Sequence, residues 1–365
     1  FKGVGFKSVL ALTEQPEIFW HNGAVFFSRQ RTFEFLKTKA PDAVSNLTPD
    51  EVPILRCPHL MDFDLAVKSD STLKKLLDNS ATVLRFPFMN EAARQNVITR
   101  LGEIRSSTIL FLNNLSTIEI ETGITSRVYK IRKENLENDA EGDTHYNSVR
   151  ASIYDGSSDS NWVLISGTYW LPPEIKKQLP PTWKETNSVR ISYAVPVNAS
   201  NKFVPLDDYP FLHVFFPTEE RIPFRILIHG TFRTNVDRRL LTQDDALNDY
   251  MTKKAIELLR DKVLPIISEQ IDEPGQIIDF LQPPKNLNAN TTEGKIWSEL
   301  CSVLKNHKFV PSRGKDCTLS PVEVLIAPLT QNAERFKSIV RGELVGRLCY
   351  DSIDSDSNRR ETLQK

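Results

Sequence analysis

The chain has 365 residues, 46 of them Lys or Arg and 47 Asp or Glu, for a formal net charge of −1 at pH 7. So even a balance gives no overall field to attract nucleic acid or an anionic membrane, and makes nucleic acid an unlikely partner. With 40% hydrophobic residues the chain can form real cores and is no disordered tail. Its length suggests two or three domains. No apolar run approaches the roughly 18 residues a membrane span needs, so no membrane partner is expected. The four cysteines, Cys57, Cys301, Cys317 and Cys349, are scattered without a C-x-x-C pair. That argues against a disulfide framework and for a reducing, cytoplasmic compartment. Cys57-Pro58-His59 offers two metal ligands with no second cluster to complete a site, so simple packing is the better reading.

The first element is the stretch Gly3-Val4-Gly5-Phe6-Lys7-Ser8. Two glycines one residue apart let backbone N–H groups approach an anion with no Cβ in the way. Ser8 is a good N-cap for the apolar run that follows, and a helix N-terminus favours phosphate. The stretch is neither a Walker A loop nor a Rossmann fingerprint. On spacing alone, a plain glycine turn before a helix fits as well.

Next, apolar runs at 18–20 and 24–27 flank His21-Asn22-Gly23, which predicts a β-hairpin. The proline-rich stretch 40–60 reads as loop, 72–77 as a short helix and 81–88 as a strand. Asn90 is placed to cap a helix with Val97, Ile98, Leu101 and Ile104 on its apolar face. The run 109–112 then leads into a strand at 117–121. From about 117 to 235 the period is two, with strands expected at 128–131, 148–154, 162–166, 188–195, 211–216 and 222–228. The stretches 155–160 and 171–181 read as turn and loop, and the charged stretch 134–142 as a solvated loop. Strands followed by helices describe an α+β domain.

Arg238 and Arg239 precede a helix expected to start at Thr242, through the capping-box variant Thr242-x-x-Asp245, with Leu247, Met251, Ala255, Leu258 and Leu259 on its apolar face. Cations at that end of a helix are disfavoured by roughly 0.3–1 kcal/mol each unless an anion is near. The pair therefore points to a phosphate or carboxylate partner, or else to ion pairs with Asp237, Asp244 or Asp245. Further on, 282–290 reads as linker, a helix carries Ile296, Trp297, Leu300, Val303 and Leu304, and 351–365 reads as a surface helix or the start of a linker.

The opening words, Gly-Val-Gly-Phe-Lys-Ser-Val, resemble the glycine-rich lid box of the GHKL ATPases, specifically the sacsin-like branch related to heat shock protein 90. The resemblance covers roughly residues 1–260. In that family the box holds the ATP phosphates, a strand threonine touches the adenine, and an Asn-x-x-Arg segment of the middle domain brings an arginine to the γ-phosphate. Carried over, it implies phosphate contacts from Gly3, Val4, Gly5, Phe6 and Lys7, an adenine contact from Thr82, and a catalytic role for Arg238 in Asn235-Val236-Asp237-Arg238. Ala81 stands where the family has a glycine before that threonine.

The family's magnesium-binding Asn, catalytic Glu and adenine loop lie upstream of the box, so a chain starting at Phe1 is read as a fragment that begins inside the nucleotide domain. The implied fold is α+β: the C-terminal half of a GHKL (Bergerat) α/β sandwich over 1–116, an α+β middle domain with a mixed sheet and long helices over 117–270, and a helical and hairpin extension over 285–365. The implied function is ATP binding and slow hydrolysis, with Mg2+, coupled to chaperone-like conformational change on client proteins. Two alternatives stay open: a non-catalytic interaction module of the same fold, and a MORC-like nucleic-acid-associated ATPase.

Overall fold

The computed structural model describes residues 8–123, 125–142, 144–235, 237–313, 318–327, 336–338, 340 and 342–365, in two units that divide at Ile104. In the first, the run after Ser8 closes a single 3-10 turn, Ser8–Ala11, rather than the longer helix expected. Strands β1 (Glu17–Trp20) and β2 (Gly23–Phe27) form the predicted antiparallel hairpin. Its reversal is at His21-Asn22, one step before the Asn-Gly pair. Gly23 stands opposite Trp20, where a Cβ would come within 2.6 Å of the indole.

Helix α1 (Arg29–Lys39) follows, capped by Ser28. It has no apolar stripe to announce it, and Thr32 is its one buried residue. Most of the stretch expected as loop does consist of turns, but it ends in strand β3 (Pro58–Leu60), which extends the sheet beside β2. Helices α2 (Phe63–Ser69) and α3 (Ser71–Asn79) start on aspartate caps, with Asp62 accepting from the Leu65 N–H and Asp70 from the Leu73 N–H, both at 2.9 Å. Strand β4 (Thr82–Arg85) completes an antiparallel sheet of order β3-β2-β1-β4. Asn90 caps α4 (Glu91–Glu103) as expected, its Oδ1 accepting from the Ala93 N–H at 2.8 Å. The core of this unit is small: Phe19, Ala24 and Val83 from one sheet face, with Ala66 and Leu73 from α2 and α3.

The second unit opens with a 3-10 helix (Ser106–Phe111) and an eight-stranded sheet: β5 (Thr117–Glu121), β6 (Ser126–Glu141), β7 (Thr144–Tyr154), β8 (Asp159–Trp170), then after helix α5 (Pro173–Gln178) β9 (Ser188–Val197), β10 (Phe211–Val214), β11 (Phe216–Arg221) and β12 (Leu227–Gly230). The order is β11-β10-β12-β9-β8-β7-β6-β5, with β10 parallel to β12, so the sheet is mixed and the chain α+β. The stretch 134–142 is not the expected loop. β6 runs through it to Glu141 in register with β7, with a bulge after Asn135. Its charged side chains are solvated as their composition implied, and the backbone ladder supplies the order they do not. The strand expected at 222–228 shrinks to β12, and the stretch 171–181 contains α5.

One face of this sheet packs on helix α6 (Ala246–Leu258), which continues through a π turn (Leu259–Val263) into α7 (Leu264–Glu269). Ile191, Tyr193 and Val195 of β9 meet Met251, Ala255 and Leu258, and the Tyr193 hydroxyl donates to the Ala255 carbonyl at 2.9 Å. Helices α8 (Ile277–Phe280) and α9 (Thr292–Leu304) share that core, with Ile296, Leu300 and Leu304 buried and Trp297 half-buried against it. So do Val310 of the small hairpin β13 (Val310–Pro311) and β14 (Thr318–Leu319), and Ile353 of α10 (Asp351–Asp354). The last helix, α11 (Ser357–Gln364), is not wholly a surface element, since Arg360 is buried on Asp354. Among the described residues no helix is long and apolar enough to cross a membrane.

Gly294, in the first turn of α9, shows packing overriding propensity. A helical Gly→Ala change ordinarily stabilises by about 1 kcal/mol, but here a Cβ would meet the backbone oxygen of Asn288 at 2.1 Å. Gly294→Ala is expected to destabilise by about 1–3 kcal/mol, read as a lowered denaturation midpoint at unchanged slope; a raised midpoint would show that this contact yields.

Candidate functional site

Gly3, Val4, Gly5, Phe6 and Lys7 lie outside the described residues. Thr82 opens β4, exposed and directly across from Trp20. Strand alternation puts it on the same sheet face as Leu84, where Leu60, Val25, Ile18 and Leu84 form one row across all four strands. Leu60 is 87% exposed, Leu84 48% and Trp20 41%, whereas α2 and α3 pack on the opposite face. Thr82 thus presents a hydroxyl beside an indole on an open apolar surface, an arrangement suited to a flat heteroaromatic ring.

Arg238 belongs to the second unit, at the tip of a short hairpin-like turn. Thr234 bridges Leu241, the Asn235 N–H donates to the Leu240 carbonyl at 2.9 Å, and the Thr242 N–H donates to the Arg233 carbonyl at 3.0 Å. The Asn of the Asn-x-x-Arg segment has a clear mechanical role. Asn235 Oδ1 accepts from the N–H groups of Arg239 (3.1 Å) and Leu240 (3.2 Å), and its carbonyl accepts from the Arg238 N–H at 3.1 Å. Arg238 itself is exposed, with φ +61°. That left-handed conformation is one Asn-anchored turns impose and a non-glycine residue rarely chooses. Arg239 diverges from its neighbour: its guanidinium pairs with Glu219 of β11, Nε to Oε1 at 2.7 Å, rather than with Asp237, Asp244 or Asp245 as the sequence suggested.

The base of this turn is tied to α6, which starts at Ala246 and not at Thr242. Asp245 is its N-cap, with Oδ1 accepting from Leu247 and Asn248 N–H, both at 3.1 Å, while its other oxygen pairs with Arg233. Asn248 completes the clamp. Its Oδ1 accepts from the Arg233 N–H at 2.8 Å, and its amide donates to the carbonyls of Arg233 (2.9 Å) and Thr242 (3.0 Å). Asp245 and Asn248 are both buried. Arg238 is thus an exposed residue on a turn held through backbone bonds. The sequence hid this clamp, because its only mark was an aspartate before an apolar run.

Two further groups escaped the sequence reading. His213 of β10 and His229 of β12 are cross-strand neighbours, both buried. Phe111 packs on both rings, with centroids 5.3 and 4.9 Å away. His213 Nδ1 bonds the Phe211 carbonyl at 2.9 Å. Burial pushes His213 down to about 4 and His229 to about 3, the latter helped by the charges of His213, Arg190 and Lys133. As for metals, His59 bonds Thr32 Oγ1 at 3.0 Å and packs on Phe26. Among the described residues no cluster of three or more His, Cys, Asp or Glu could hold a metal ion.

Comparison of the chain with models of known families, with curated proteins and with solved structures finds no match.

The two histidines fix a pH dependence. Their folded pKa values lie below the ordinary 6.5, so between about pH 6.5 and 4 the unfolded chain takes up protons that the folded chain refuses. Stability is therefore full above pH 6.5 and falls on acidification, by up to about 2.7 kcal/mol per pH unit for two protons. The His213→Phe/His229→Phe double variant should lose that part of the slope in urea midpoints from pH 6.5 to 4.5. Parallel curves for the two proteins would contradict the assignment.

Proposed function

We propose that this chain is part of an ATP-driven conformational switch of the sacsin-like, heat shock protein 90-related kind. In this reading the phosphates lie on the amides of the Gly3-to-Lys7 stretch and the adenine lies against Thr82. Arg238 reaches the γ-phosphate and stabilises the charge that develops there as phosphoryl transfer proceeds. The observation that carries the reading is the Asn235–Arg238 turn. Its asparagine spends its side chain on two backbone donors, holding an exposed guanidinium at the tip of a clamped loop.

The open apolar face that carries Thr82 adds support, because a purine there would cover exposed Trp20 and Leu84 while bonding a hydroxyl. Arginine fits the role, being always charged and able to grip phosphate oxygens with two parallel donors. Mg2+ in this scheme neutralises phosphate charge and is held through family elements upstream of the glycine box. Client proteins would be remodelled by the closure that ATP drives.

The test is ATP turnover in a chain that carries those upstream elements. Arg238→Ala should lower the rate by about 10²-fold or more, with nucleotide affinity within about threefold of wild type, while Arg239→Ala should change the rate little. An unchanged rate in Arg238→Ala removes this arginine from the mechanism.

A further inference from the structure

We propose that the outer edge of β6 beyond Ile131 is a docking site for an extended basic segment of another protein, which adds to the sheet as a further strand. β5 accompanies β6 only from Ser126 to Lys130, and the last bond on that side runs from the Ile131 N–H to the Ser116 carbonyl at 2.9 Å. β6 then continues to Glu141, and among the described residues its only partner there is β7, on the inner side. Every residue from Arg132 to Glu141 is exposed. At about 3.3 Å per residue the open ladder is about 30 Å long. Native sheets keep such edges short or covered, because a free row of N–H and C=O groups is a template for another strand.

Register assigns the free backbone groups. Ile131 turns its N–H outward, and alternation gives Lys133 and Asn135 the same direction. Opposite these three on β7 are Ile153, Ala151 and Val149. A bulge follows Asn135 on β6, but β7 runs on against β8 without one. Asn138 and Ala140, opposite Asn147 and His145, are therefore the next residues whose N–H and C=O point outward.

The bulge also sorts the charges. Glu134, Glu137, Asp139 and Glu141 stand opposite Arg150, Ser148, Tyr146 and Thr144, alternate residues of β7, so all four carboxylates share one sheet face. Without the extra residue Glu134 would fall on the other. Lys262 meets Glu141 at 2.6 Å and Asp139 at 3.4 Å. Glu134 and Glu137 form no ion pair among the described residues. A second copy pairing antiparallel along this edge would set one acidic row against another, which like charges oppose. A strand with Lys or Arg at every second position sets cations opposite the acids, while its intervening residues bond the Asn138 and Ala140 backbone. One sign of charge thus closes the edge to itself and selects an opposite partner.

The test is fluorescence anisotropy of a labelled peptide of four Thr-Lys repeats, titrated with the 365-residue chain at fixed ionic strength. Its Kd should lie below about 100 μM. A block peptide of the same composition, threonines first and lysines after, should bind at least tenfold more weakly, because it cannot set its cations on one face. N-methylation of the threonine amides should abolish binding and that of the lysine amides should not, since only the threonines face β6. On the protein side, Glu134→Lys/Glu137→Lys should weaken binding about tenfold or more. Ala140→Pro should do the same while melting close to wild type, because an edge tolerates proline where the N–H was free. The peptide arms need only the wild-type chain and decide the matter if that variant does not fold. Equal binding of repeat and block peptides would reduce the contact to unspecific charge and overturn the proposal. So would no binding at about 1 mM peptide, or equal weakening by the two methylations. A chain that sediments as a dimer, and as a monomer after Ala140→Pro, would give the edge to a second copy and overturn it too.

Discussion

Tyr193 fixes the geometry of the larger unit. Its ring is fully buried in the middle of the sheet, and its hydroxyl donates to the Ala255 carbonyl in α6. A buried phenol without that acceptor would cost about 1–3 kcal/mol. The bond therefore sets the height at which α6 sits on β9, not just the fact of contact. The first turn of α6 is set in turn, and with it Asp245 and Asn248, which grip Arg233 and carry the turn on which Arg238 stands. On its other face the same strand presents Arg190, Ser192 and Ala194. One strand thus serves both layers of the unit, because side chains alternate while the backbone stays rigid.

The cations of this unit differ in how they are held. Arg238 is exposed, and its turn is constrained through backbone bonds to Asn235, so its position depends on local geometry. Lys133 and Arg190 come from strands three places apart in the sheet, and each is held by its own side-chain bond, to the Leu110 carbonyl and to Ser166 Oγ.

This contrast also explains what the sequence could disclose. The hairpin at Gly23, the alternation of 148–154 and 188–195, the Asn90 cap and the stripe from Leu247 to Leu259 were legible because each depends on neighbours in sequence. Helix α1 offered no apolar stripe, and the far half of β6 is strand by pairing, with charged residues that argued for loop. Asp245 displaced Thr242 as the cap because it also meets Arg233, a partner twelve residues away that no capping rule includes. The Arg239–Glu219 pair and the His213–His229 neighbours join separate strands or loops, and such contacts leave no periodic trace. Thr82 and Arg238 were singled out by resemblance, and their exposure was not readable from local pattern.

The units also differ in how firmly they are held, and this bears on where motion can occur. The second unit packs α6 to α9 and the C-terminal hairpin and helices on one sheet face around one large core, with a second cluster on the other face. The first gathers a cluster of five buried side chains on one sheet face, buries Phe27, Val44, Val52, Ile54 and Ala93 outside it, and leaves Leu60, Leu84 and Trp20 exposed. Local opening is cheapest where buried apolar contacts are few, so the first unit is the softer of the two. A ligand seated on its open face would add burial where it is scarcest, and at a concentration a hundredfold above its Kd would stabilise that unit by about 2.7 kcal/mol. Against so small a core that is a larger fraction than the same increment would be in the second unit. A ligand therefore has most leverage on stability in the first unit.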